Sequence, residues 1–199
     1  MMVARALYRP APVSTPGFAQ WLFADPRSAW LWLAIRLYVG WEWFTAGREK
    51  LWPATGPSWI TSSNALKGYW TRATAVPQTG TPPVVYGWYR VFLKYMLDHE
   101  WYTWFAKLVA IGEFAVGIGL ILGAFVGIAA FFGTVMNFSY LLAGSASSNP
   151  VLFGLAVFLI LAWKVSGLIG LDRWLLPITR TPWQWLPRRA PEGTPPARR

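Results

Sequence analysis

The chain has 199 residues, 15 tryptophans, no cysteine, 55% hydrophobic residues and a formal net charge of +10, a composition that points to a membrane protein. Without cysteine it has no disulfide, thiolate nucleophile or iron–sulfur ligation of its own, and with His99 as its one histidine it offers no ligand set for a metal or haem. Its Lys and Arg residues are spread over tails and loops and form no basic helix face, which fits lipid head groups and excludes nucleic acid as the partner.

Residues 1–28 are Pro-rich and polar and lack the apolar core of a cleavable signal peptide, so they read as a cytoplasmic segment that leaves targeting to the first span. The membrane domain is expected over 29–176, with spans at about 29–46, 101–122, 124–143 and 150–171. In the first, Arg36, Gly40, Trp43, Gly47 and Lys50 fall at spacings of 4, 3, 4 and 3, which is one helical face. Gly40 and Gly47 on that face suit close approach of another helix. Glu42 points elsewhere, at a depth that suits an outer-edge ion pair with Lys107.

The long loop from Gly47 to Glu100 is expected to hold structure of its own. SNALKGYWTRA reads as a short helix, and GTPP at Gly80 to Pro83 as a turn. Beyond it, Val85, Tyr89, Phe92 and Met96 form one apolar helical face, with Arg90, Lys94 and Asp98 off it, which predicts an amphipathic helix lying on the outer membrane surface.

The run from Leu108 to Gly144 carries one charge, Glu113, and is too long for one helix, so it reads as two spans broken near Gly123. Gly117 follows Glu113 at i+4 as a further close-packing position. The third span offers Asn137 on a stripe with Thr134 and Ala130. Asn149 before Pro150 reads as the cap of a fourth helix, which carries Lys164. Trp30, Trp32, Trp174, Trp183 and Trp185 fit an inner aromatic belt, and Trp41, Trp43, Trp52, Trp101 and Trp104 an outer one. Residues 177–199 read as a Pro- and Arg-rich cytoplasmic tail whose last ten or so residues are disordered. Basic residues favour both termini inside in a multi-pass protein of the cell membrane: nine lie in the tails, six in the long loop and none between Gly144 and Asn149.

A lone acid at the depth of Glu113 must be paired, protonated or turned to a polar cavity. Arg36 and Lys164 are its expected partners, and with Asn137 the four residues either form a buried network that fixes helix register or line a pocket for a quinone or small anion. Lys164 also fits snorkelling to the inner surface, and Asn137 a helix-packing hydrogen bond.

The pattern R-x3-G-x6-G-x2-K-L from Arg36 to Leu51, GEFAVGIGLILG from Gly112 to Gly123 and GLIGLDRWL from Gly167 to Leu175 resembles the DoxX family of membrane proteins. With MNFSYLLAGSASSNP from Met136 to Pro150 and its long first loop, the chain is most similar to the DoxD-like members. The resemblance spans about Ala29 to Leu176 and matches the family at Arg36, Gly40, Gly47, Lys50, Glu113 and Asp172. It implies a four-helix all-α membrane bundle in an oxidoreductase system, with thiosulfate oxidised to tetrathionate and its electrons passed to membrane quinone alongside a second subunit. On that reading Glu113 and Arg36 are the candidate catalytic residues. Arg36, Lys164, Asn137, Arg48 and Lys50 are the candidates for holding quinone or anion, with Arg48 and Lys50 at the outer mouth. The alternative is a non-catalytic scaffold that docks soluble redox or sulfur-metabolism enzymes, since related DoxX proteins are implicated in complexes with superoxide dismutase and a sulfurtransferase. A solute carrier is disfavoured by the single buried acid and the absence of broken helices.

Overall fold

Close glycine contacts set the register of the two longest helices. The computed structural model describes residues 15–179, and every regular element among them is helical. The first 14 residues, the end of the proline-rich tail with its expected disorder, and Trp183 and Trp185 lie outside the described residues. Helix α1 (Gly17–Ala24) and a 3-10 turn (Pro26–Ser28) lead into α2 (Ala29–Leu51). The Trp32 indole and the Ser28 hydroxyl both donate to the Leu22 carbonyl, at 2.7 and 2.9 Å, and so tie α1 to the start of α2. Helix α2 outlasts its expected end near residue 46, because Arg48 and Lys50 in its last turn favour the negative end of the helix dipole.

Helix α5 (Tyr102–Leu122) runs antiparallel to α2. A methyl group at Gly47 would enter the Phe114 backbone, one at Gly117 the Phe44 backbone, and one at Gly40 would press on Leu120 and Ile121. Helix α6 (Val126–Leu142) follows a left-handed turn with Gly123 at φ 70° and Phe125 at φ 48°. Trp32, Val39, Trp43, Val116, Leu120, Ala130 and Leu159 belong to the bundle core. Trp32 and Trp43 are therefore core residues, not belt residues, whereas Trp30, Trp41, Trp52 and Trp174 are exposed.

The fourth segment departs from the expected continuous span over 150–171. Helix α7 (Asn149–Leu161) is separated at Ala162 from α8 (Trp163–Ser166), and α9 (Asp172–Ile178) begins after a turn. The helix stops there because the turn pairs with the end of α5: the Leu171 N–H donates to the Leu122 carbonyl at 3.1 Å and the Asp172 N–H to the Gly123 carbonyl at 2.8 Å. The expected absence of broken helices does not hold for this segment. Asn149 does not cap α7 either; its amide donates backwards to the Ser145 carbonyl, and Ser148 holds the cap position without a side-chain bond.

Between α2 and α5, helices α3 (Asn64–Thr74) and α4 (Gly87–Asp98) form a cap. Leu66, Trp70 and Ala73 of α3 share a second apolar core with Tyr89, Leu93 and Met96 of α4, Tyr102 and Ala106 of α5, and Ala143 after α6. Tyr89 donates to the Ser139 carbonyl at 3.0 Å. The buried face of α4 is thus rotated from the expected one: Leu93 takes the inward place, and Val85 and Phe92 are exposed. The surface it packs on is protein, and Trp88, Val91 and Tyr95 are exposed on its other side. By length and composition α5 is long and apolar enough to cross a membrane, and α6 and α7 are shorter apolar helices.

Candidate functional site

Buried charge occurs at two ends of the bundle. At one end Arg36 is 1% exposed, and its Nη2 donates to the Ile169 carbonyl at 2.7 Å. Its guanidinium lies where a side chain on Gly123 or Gly170 would be, so two glycine backbones close over it. Asp172 supplies the neighbouring negative charge. The Asp172 carboxylate accepts from the Phe125 N–H at 2.5 Å and from the Val126 N–H at 2.9 Å, which covers the open donors at the start of α6. Together these contacts fasten α2, α5, α6 and the segment before α9. Arg36 Nε and Nη1 make no hydrogen bond, yet Arg36 borders neither of the cavities described next.

Toward the other end, the α2–α5 register brings Lys50 over Glu113. Lys50 Nζ lies 2.5 Å from Glu113 Oε2, and the Tyr140 hydroxyl donates to Glu113 Oε1 at 2.6 Å. The Glu113 side chain is 2% exposed and that of Lys50 23%. Both carboxylate oxygens thus have a donor, which is the condition for keeping an ionised acid buried. Lys50 is also held from the loop side: its carbonyl accepts from the Trp59 N–H at 2.9 Å, and its ammonium sits 5.3 Å from the Trp59 ring centroid.

These residues line a chamber of about 440 Å³, bordered by Trp43, Tyr69, Arg72, Asn137 and the exposed Ser147 and Ser148 of the α6–α7 turn. Asn137 is fully buried, and neither its amide nitrogen nor its amide oxygen has a partner; the Trp43 indole N–H is likewise unpaired. Each such group costs about 1–3 kcal/mol if left so. An Asn both donates and accepts and an indole donates, so the chamber wall is chemically suited to a small polar group carrying oxygen. The Tyr69 hydroxyl makes no hydrogen bond of good geometry. Burial raises its pKa, with Tyr89 adding to the effect and nearby Ser145 and Arg72 opposing it, so it remains a neutral donor.

The expected constellation is therefore divided. Glu113 and Asn137 line the same chamber, whereas Arg36 belongs to the opposite end and its hydrogen bond runs to Ile169, not to Glu113. Lys164, on α8, does not line the chamber, and Arg48 is exposed in the last turn of α2. Glu42 lines the chamber and makes no ion pair with Lys107. Lys50, expected at an outer mouth, is the partner of Glu113. Tyr140 was missed from the sequence, although it lies three residues from Asn137 on the same face of α6.

Fold and site together define an all-helical bundle with a buried Glu–Lys–Tyr cluster at a polar chamber. Comparison with protein-family models, curated proteins and solved structures gives no match.

Proposed function

We propose that the chain is a four-span membrane subunit of DoxX-like, DoxD-like type that passes electrons from thiosulfate to membrane quinone, with the quinone ring held in the Glu113 chamber. The observation that carries this reading is the buried Glu113, held by Lys50 and Tyr140, beside the unpartnered amide of Asn137. The four spans would be α2, α5, α6 and α7 with α8. Exposed Ile111, Ile128, Phe131, Phe158 and Leu161 support lipid contact along the bundle. The basic tails support termini on the cytoplasmic side.

Oxidation of two thiosulfate ions to one tetrathionate releases two electrons, and reduction of a quinone to a quinol takes those two electrons and two protons. Asn137 and the Trp43 indole hold a ring oxygen by hydrogen bonds. Glu113 and Tyr140 hold and move the proton at that oxygen. Lys50 balances the charge of Glu113. With no cysteine, this chain forms no covalent thiosulfate adduct of its own, and on the DoxD-like reading thiosulfate oxidation is shared with a second subunit.

The test is thiosulfate-dependent quinone reduction by the detergent-solubilised protein with its partner, in wild type and Glu113→Gln. Activity in the wild type that is lost in a folded Glu113→Gln variant supports the reading. No quinone reduction by any wild-type preparation, with soluble redox enzymes still co-purifying, supports the scaffold instead.

A further inference from the structure

A second cavity, of about 470 Å³, lies between the α3–α4 cap and the flank of α5 and α6. Its wall is apolar, and three of its residues, Leu66, Tyr69 and Tyr140, also line the polar chamber. The two spaces are thus separated by the Tyr69 and Tyr140 rings, whose centroids are 6.4 Å apart at 85°. At its far side the groove is bordered by Leu108 and Val135, 54% and 45% exposed, and by the exposed Ala115, which face outward from the bundle.

We infer that chamber and groove form one bipartite site for a lipid-borne amphiphile: the polar ring sits at Glu113 and Asn137, and an isoprenoid tail runs past the tyrosine pair into the groove and out between α5 and α6. This rests on the quinone reading above and adds the entry route and the tail. The shared wall of Leu66, Tyr69 and Tyr140, one ring thick, argues for a single occupant that spans both spaces. The mouth at Leu108, Ala115 and Val135 argues that it arrives sideways from the bilayer, because a water-borne ligand would have no use for an apolar exit. Tyr140 bonds Glu113 on one side and borders the groove on the other, so turning its ring would open the passage and release the carboxylate in one movement.

The experiment measures binding to the full chain in phospholipid nanodiscs, using 2,3-dimethoxy-5-methyl-1,4-benzoquinone and the same ring carrying an isoprenoid tail. Ala115→Phe and, as an independent variant, Val135→Trp fill the groove from its exposed border. Each should weaken the tailed ring by about tenfold, which is about 1.4 kcal/mol, and leave the bare ring unchanged. Retained binding of the bare ring certifies the fold. Asn137→Leu should weaken both. Equal binding of the tailed ring by wild type and both variants overturns the groove while leaving the chamber intact, as does a phospholipid that stays in the groove when tailed quinone binds. Failure of both probes on wild type overturns the quinone reading and the groove with it.

Discussion

Arg36 and Glu113 are equally buried, at 1% each, yet they sit in opposite kinds of surroundings. Around Arg36 the backbone of Gly123 and Gly170 closes in, and the polar contacts run to main chain or to Asp172. Around Glu113 the contacts are side chain to side chain, and next to them lie an accessible chamber and an amide with no partner. A buried charge is by itself a weak pointer to function. Unpaired hydrogen-bonding groups also fail to separate the two ends, since Arg36 has two. What separates them is that Glu113 itself lines a polar chamber, whereas the cavity of about 490 Å³ at the other end is apolar, is bordered by Asp172 and does not reach Arg36.

The contrast is sharpest where a substitution strikes one end alone. Gly123→Val should have the largest effect: it forces a β-branched side chain into φ 70° and drives it against the Arg36 guanidinium. A loss of about 3 kcal/mol or more is expected in chemical unfolding of the detergent-solubilised protein, or no folded protein at all. Glu113→Gln should lower quinone reduction per folded molecule by about a hundredfold, the lower end of what a positioned proton-transfer group supplies, and should also lower stability by about 1–2 kcal/mol because Lys50 and Tyr140 lose a charged acceptor. Steady-state rates per folded molecule read this out, and a rate within threefold of wild type would remove Glu113 from the chemistry. Asp172→Asn keeps the shape but weakens the charge-assisted bonds to Phe125 and Val126; about 1–2 kcal/mol of stability should go, with the rate per folded molecule retained.

Asn137→Leu should act in opposite directions on the two quantities. Removing a buried amide with no partner raises stability by about 1 kcal/mol, while quinone affinity falls by about tenfold. A variant that melts lower instead would mean that the amide is a packing contact. Arg48→Gln should change neither stability nor activity measurably, because Arg48 is exposed and borders no part of the chamber.

Much of the bundle was legible in the sequence because it rests on periodicity. The 4-3-4-3 stripe from Arg36 to Lys50 put Gly40 and Gly47 on one face of α2, and the structure sets those two glycines against α5. The same stripe carries Lys50, the partner of Glu113 in the structure, but expected depth in the membrane points instead to Arg36 and Lys164. Setting Gly47 opposite Phe114 brings Lys50 level with Glu113 and leaves Arg36 facing Gly123. That register depends on which glycine meets which backbone, a tertiary fact that no single helix reveals. The α4 face failed for a related reason: Phe92 and Leu93 both fit an apolar stripe, and only the protein surface beneath α4 selects Leu93. The early end of the fourth helix falls where Gly167 and Gly170 permit a turn, but the backbone bonds to Leu122 and Gly123 that fix it are tertiary.

The most direct test compares Glu113→Gln with Arg36→Gln in one assay series, measuring the folded fraction by thermal unfolding and thiosulfate-dependent quinone reduction per folded molecule with the partner present. If the chamber is the working site and Arg36 a fastening, Glu113→Gln loses the rate per folded molecule whatever its shift in melting, whereas Arg36→Gln melts lower and keeps the rate. Loss of the rate in Arg36→Gln with melting unchanged, and a normal rate in Glu113→Gln, would contradict the assignment.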